Sequence, residues 1–108
     1  MHKFFKNLYN EIGKDKALLK ELVSDFITIY QDNIEELSHD IEKLNYENIS
    51  FIAHKLKGSS MNFNMPVFTE AADELETIGK DKLNKNMSKP FDTMKKQFKK
   101  FVDAKKEL

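Results

Sequence analysis

The chain has 108 residues and no net charge, with 18 acidic residues balanced by 18 lysines and no arginine, and it contains no cysteine. This length fits one domain, taken as residues 1–108. The neutral charge argues against a nucleic-acid-binding protein, and the lack of cysteine excludes disulfides, zinc–thiolate sites and thiol catalysis. No apolar run is long enough for a membrane span or a signal peptide, so we expect a cytoplasmic protein without membrane insertion.

The first apolar residues form a short amphipathic segment that stops before Gly13. Phe4, Phe5 and Leu8 share one face of this predicted helix, where they either present an apolar patch to a partner or cover the end of the molecule. Asp15 then suits the N-cap of a long second helix, because its carboxylate can accept a backbone N–H of the first turn. The apolar spacing of three and four residues continues from there to about residue 44.

The rest of the chain predicts three more helices. Asn45 is expected to end the second helix in a left-handed conformation, and a third helix is predicted over residues 46–63. Pro66 suits the first turn of a fourth helix that Gly79 should stop, and Pro90 suits the first turn of a fifth. No strand-like alternation competes. The predicted fold is an all-α antiparallel four-helix bundle with a short extra N-terminal helix.

His54 lies on the third helix, roughly 150° from the centre of its apolar stripe at about 100° per residue, so its side chain is predicted to be exposed. Lys57 lies at the flank, within reach of the imidazole, and Gly58 leaves a bare position one turn later. Glycine inside a helix costs about 1 kcal/mol relative to alanine. A closely approaching partner would explain that cost, and the soft apolar Met61 adds to the case for a docking surface. An ordinary surface histidine is the alternative.

An exposed imidazole is a competent nucleophile near neutral pH and can take a phosphoryl group on nitrogen. Lys57 would offset the added negative charge, and Ser59 could donate a hydrogen bond. The sequence shows no general base beside His54, no P-loop and no glycine-rich nucleotide loop. A partner would therefore have to supply the metal and the activating groups.

The segment AHKLKGSSMNF at residues 53–63 resembles the signature of the histidine-containing phosphotransfer (HPt) family, approximately A-H-x-L-K-G-S-[SA]-x-x-[FL]-G. The resemblance extends over about residues 15–104. It implies that His54 is the phosphoacceptor on its outer ring nitrogen, that Lys57 stabilises phosphohistidine and that Gly58 leaves room for docking. Asn64 stands where the family usually has glycine, and asparagine is the next-best residue for a left-handed helix end.

The resemblance implies a phosphorelay carrier and not an enzyme, and we expect this carrier to be a stand-alone monomer. Its partners would be receiver domains of a hybrid histidine kinase and of a response regulator, with no nucleic acid. The carrier needs no cofactor, because Mg²⁺ is expected only on the receiver. The main alternative is a non-catalytic adaptor that binds receivers with the same bundle. An autokinase or phosphatase, and nucleic-acid binding through the lysine-rich last helix, are less favoured.

The predicted partner surface includes exposed positions of the third helix: Ser50, Gly58, Ser59 and Met61. Candidates for its rim lie on the second helix: Asp32, Asn33 and Glu36. Glu36 and His39 form a single Glu-x-x-His pair, whereas di-iron bundles need two such pairs and two further glutamates, so no metal site is predicted.

Overall fold

A computed structural model describes all 108 residues, which form five α-helices and no strand. The helices are α1 (Lys3–Glu11), α2 (Lys16–Lys43), α3 (Tyr46–Ser60), α4 (Pro66–Asp81) and α5 (Ser88–Lys105). The molecule is elongated, with extents of 44 × 20 × 18 Å. The predicted all-α fold, a four-helix bundle preceded by a short helix, is confirmed. No helix has a stretch long and apolar enough to cross a bilayer.

Helix α1 covers one end of the bundle. His2 caps it, with Nδ1 accepting the N–H of Phe4 at 3.0 Å. Phe4, Phe5 and Leu8 are all buried, and the ring of Phe5 meets that of Phe101 edge-on at 5.2 Å. Of the two interpretations of this apolar face, covering the bundle end is therefore confirmed, and a partner patch formed by these side chains is wrong.

The bend between α2 and α3 is built around a buried carboxylate. Asp40 accepts hydrogen bonds from the side-chain amides of Asn45, at 3.0 Å, and of Asn48. Leu44 takes the left-handed conformation with φ 55°, so the prediction that Asn45 would do so is wrong. Asn45 is instead the residue that precedes α3, and its side chain is held by Asp40. The N-cap prediction for Asp15 is confirmed by its 3.0 Å hydrogen bond from Leu18 N–H.

Helix α3 ends at Ser60 and does not reach the predicted residue 63. Phe63 turns into the core, where its ring lies 5.0 Å from that of Phe101. The following residue, Asn64, donates its backbone N–H to Phe4 O at 3.1 Å, which ties the α3–α4 loop to α1. Asn64 is not left-handed, so its predicted role as a left-handed helix end is wrong.

Helix α4 begins at Pro66 as predicted, but Gly79 does not stop it. The helix runs on to Asp81, and Lys82 ends it in the left-handed conformation with φ 51°. Pro90 lies in the first turn of α5, as predicted. Gly79 has a packing role, because it lies buried against α3.

The core is centred on aromatic rings that join α2 to α5 and to the α3–α4 loop. Phe26 lies 4.9 Å from Phe101 and 5.6 Å from Phe63, measured between ring centroids. Tyr30 stacks on Phe98 at 3.6 Å, and its burial raises the pKa of the Tyr30 hydroxyl to about 12. These contacts pack α2 against α5.

Candidate functional site

His54 projects from the outer face of α3. The buried stripe of this helix consists of Ile49, Ile52, Ala53, Leu56 and Ser60. With that stripe facing the core, the helical repeat turns His54 outward, and its side chain is 70% exposed. The predicted exposure of His54 is confirmed.

A carboxylate contacts the imidazole ring. Glu76 Oε2, on α4, lies 2.6 Å from His54 Nδ1. A carboxylate can only accept, so the proton of the neutral ring belongs on Nδ1, and the lone pair belongs on Nε2. No hydrogen bond joins Nε2 to the protein. This carboxylate was not anticipated from the sequence, because Glu76 lies on α4, 22 residues further along the chain than His54.

Lys57 lies between two carboxylates of α4. Its Nζ is 2.5 Å from Glu76 Oε1 and 3.0 Å from Asp73 Oδ1. Glu76 therefore bridges the imidazole with one oxygen and the ammonium with the other. Asp73 contacts Lys57 alone and is 59% exposed.

The pKa values reflect this bridge. Hydrogen bonds to Glu76 and then to Asp73 raise the pKa of the Lys57 ammonium above its ordinary value. Partial burial acts to raise the pKa of Glu76, whose side chain is only 18% exposed, but hydrogen bonds from Lys57 and His54 outweigh the burial. The pKa of Glu76 is therefore lowered, and the site holds one ammonium and two carboxylates at neutral pH.

Close packing of α3 against α4 brings these groups together. A Cβ on Gly79 would lie 2.7 Å from Ser50 N and from Tyr46 O, so the two backbones meet where Gly79 has no side chain. Further along the same pair of helices, the buried Ser60 hydroxyl hydrogen-bonds the Thr69 hydroxyl at 2.8 Å. Glu76 lies one turn before Gly79 and His54 one turn after Ser50, so this contact sets their separation.

Gly58 forms an open position one turn after His54. Apart from its own turn of helix backbone and its two chain neighbours, a Cβ added there would have no atom within 4 Å. Two large apolar side chains are exposed on either side of Gly58: Phe51 on α3 is 63% exposed, and Met61, just after the end of α3, is 66% exposed. The face around His54 therefore combines a bare position with uncovered apolar surface.

The two predicted serines lie closer to the bundle. Ser59 is half-buried, and its hydroxyl donates to Leu56 O at 3.0 Å. Ser50 is half-buried as well, with its backbone packed against Gly79. Among the rim candidates, Asn33 accepts a hydrogen bond from Lys55 at 3.3 Å, which joins it to α3. Asp32 and Glu36 are exposed.

Sequence reasoning missed Asp73, Glu76 and Phe51. Asp73 and Glu76 stand three residues apart in ADELETIG, a spacing that puts both on one face of α4. That spacing was visible, but nothing in the sequence told which acidic face of α4 meets α3. Phe51 lies three residues before His54, so its exposure could have been found from the same helical wheel.

The comparison with protein families agrees with this geometry. The Hpt domain model matches residues 21–104. The match begins at residue 21 rather than at the expected residue 15, and it ends at 104 as expected. The chain belongs to the Hpt domain family, whose members are phosphotransfer modules of phosphorelays and interact with receiver domains. A search of curated proteins and a search of solved structures found no match.

Proposed function

We propose that this chain carries a phosphoryl group on Nε2 of His54 between aspartates of receiver domains. The observation that carries the proposal is the 2.6 Å contact of His54 Nδ1 with Glu76, together with the exposure of the ring. Holding the proton on Nδ1 leaves the Nε2 lone pair available to a partner. Glu76 is thus a positioning residue for the nucleophile.

Phosphoryl transfer to Nε2 requires no proton to leave the imidazole ring. The Nε2 lone pair attacks phosphorus of a receiver's phosphoaspartate, the acyl P–O bond breaks, and the receiver regains its carboxylate. The new N–P bond makes the ring more cationic, and the Glu76 carboxylate on Nδ1–H stabilises that charge. Transfer to a second receiver reverses these steps.

Lys57 supplies the cation that shares a carboxylate with His54. Its ammonium is on the same Glu76 carboxylate as the imidazole, and a short rotation of its stem could bring it to a phosphoryl group on Nε2. The receiver would bring its own Mg²⁺ and the groups that stabilise the transferring phosphoryl, so this chain would need no cofactor. The chain would be a carrier whose chemistry is completed by its partner.

The docking surface proposed for the receiver is centred on Gly58. The open position at Gly58 would let the edge of the receiver's active site approach closely. Phe51 and Met61 would bury their exposed apolar surface against the receiver. Ser50 and Ser59 stay predicted members of this surface. We also propose that the protein acts on its own and as a monomer. The size of the endogenous polypeptide tests the first point, and its mass in solution tests the second.

Transfer from phosphorylated receivers tests the function. Each receiver domain of the source organism is phosphorylated with acetyl phosphate and mixed with wild type, His54→Gln or His39→Gln. His39 is an exposed histidine of α2 and serves as the matched control. Wild type and His39→Gln should gain acid-labile, base-stable label, and His54→Gln should gain none. Equal labelling of His54→Gln refutes the assignment.

Measuring receiver binding with the same proteins distinguishes a phosphoryl carrier from the adaptor alternative. Receiver binding without any label on wild type, and with an affinity that His54→Gln leaves unchanged, would identify a binding module that does not accept phosphate. The uncovered Phe51 and Met61 would serve such a module equally well.

A further inference from the structure

The ammonium that should neutralise a phosphoryl group is already engaged in the unphosphorylated protein. Lys57 Nζ contacts Glu76 at 2.5 Å and Asp73 at 3.0 Å. Glu76 also holds His54, so its position serves the nucleophile directly. Asp73 forms no hydrogen bond or ion pair with His54, and its only ion pair is with Lys57.

We propose that Asp73 competes with the phosphoryl group for Lys57 and thereby keeps the transfer potential of phosphohistidine high. The inference rests on the proposed function, in which His54 carries phosphate. It assigns Asp73 as a positioning residue that acts through Lys57 on the equilibrium between phosphohistidine and the receiver's phosphoaspartate.

The argument follows from the charges. A phosphoryl group on Nε2 would add nearly two negative charges beside a cluster that already holds two carboxylates and one ammonium. If Lys57 turns to the phosphoryl group, Asp73 loses its partner and faces the new anion. If Lys57 stays on Asp73, the phosphoryl group lacks a cation. Either arrangement raises the free energy of the phosphorylated form, and transfer to a receiver relieves it.

Asparagine at position 73 keeps the shape of the side chain and removes its charge. Lys57 would then be freer to pair with the phosphoryl group, and phosphohistidine should become more favourable. Asp73 is more than half exposed, so the effect is modest: about a two- to fivefold change in the equilibrium constant, the range of an exposed ion pair.

Phosphoramidate is a suitable probe, because it phosphorylates histidine directly and needs no identified receiver. Its P–N bond breaks, ammonia leaves, and the N–P bond to Nε2 forms. The full chain is equilibrated with phosphoramidate at fixed ammonia concentration, and the phosphorylated fraction is read by intact mass and by ³¹P NMR. Wild type, Asp73→Asn and Glu74→Gln are compared. Glu74 is the exposed neighbour of Asp73 and has no ion pair with Lys57, so its variant reproduces the change of net charge alone.

The expected result is a two- to fivefold larger equilibrium constant for Asp73→Asn, with Glu74→Gln close to wild type. An unchanged or smaller constant for Asp73→Asn, or an equal increase for Glu74→Gln, overturns the inference. The readout is distinct from that of the proposed function, which fails if phosphate appears equally on His54→Gln. If wild type is labelled but Asp73→Asn does not change the equilibrium constant, only the role of Asp73 is refuted.

Discussion

Replacing Gly58 with alanine separates the stability of α3 from access to His54. The backbone of Gly58 is helical, and outside its own turn of helix and its chain neighbours the added methyl group would meet no atom within 4 Å. Alanine should therefore stabilise the protein by about 0.5–1 kcal/mol, toward the lower end because Gly58 lies in the last turn of the helix. An unfolding entropy of about 2.1 cal/mol/K per residue converts this into a rise in Tm of roughly 2–4 °C for a chain of this length.

The same methyl group should slow transfer from a docked receiver. It would stand one turn from His54, where the proposed partner must come closest. A displacement of the docked receiver by about 1 Å is enough for a loss of about ten- to hundredfold in rate. Phosphoramidate is small and needs no docking, so its labelling of His54 should stay within about twofold of wild type. Stopped-flow or rapid-quench transfer assays and thermal unfolding give the required numbers.

Gly79→Ala is the matched comparison, because it makes the same substitution in a buried glycine. There the new Cβ would lie 2.7 Å from Ser50 N and Tyr46 O, and overpacking of this kind costs about 1–3 kcal/mol. The two variants should therefore change Tm in opposite directions. If Gly58→Ala stabilises the protein and leaves receiver transfer unchanged, the reasoning about the open position is refuted. If it lowers Tm, the reasoning about the helix is wrong.

Three further predictions concern acid stability, the α2–α3 bend and the exposed aromatic. The pKa of Glu76 is lowered in the folded protein, so its contribution to stability is present at neutral pH and is lost as the pH falls through that pKa. In urea titrations between about pH 6 and pH 3, the unfolding free energy of Glu76→Gln should therefore change less than that of wild type. An equal change of unfolding free energy with pH in the two proteins contradicts this. Asp40→Ala removes the acceptor of Asn45 and Asn48 and should cost about 1–3 kcal/mol by urea unfolding, whereas a cost below about 0.5 kcal/mol would show that the bend does not depend on it. Phe51→Ala should weaken receiver binding about tenfold by calorimetry while changing stability by less than about 0.5 kcal/mol, and unchanged binding would remove Phe51 from the docking surface.

Much of the bundle could be predicted from local sequence. The spacing of apolar residues fixed which face of each helix is buried, and Asp15 and Pro66 marked two helix starts. The exposure of His54 followed from the same periodicity, because the core face of α3 determines the direction of every other side chain on that helix. Lys57 and Gly58 were found with it, since all three lie within five residues.

Three helix ends were predicted wrongly, those of α2, α3 and α4, and at the first two side-chain contacts overrode residue preference. Leu44 takes the left-handed position that asparagine favours, since Asp40 holds Asn45 for the next helix. Phe63 is buried in the core and lies beyond the last turn of α3. Preference describes one residue at a time, whereas these two ends depend on contacts with other side chains, the Asp40 carboxylate for Asn45 and the Phe101 ring for Phe63.

The carboxylates of the site were decided by tertiary structure alone. The end of α3, a loop and the first turns of α4 separate His54 from Asp73 and Glu76, and periodicity carries no information about how two helices are rotated and shifted against each other. That arrangement follows from the meeting of backbones at Gly79, where a missing side chain lets α4 approach α3. The sequence by itself thus determined an outward-facing imidazole with a lysine beside it. The packing of α3 against α4 determined which nitrogen of His54 carries the proton and which carboxylates bind Lys57. Hydrogen bonds of 2.5–3.0 Å form only where the two backbones already hold the side chains at that distance.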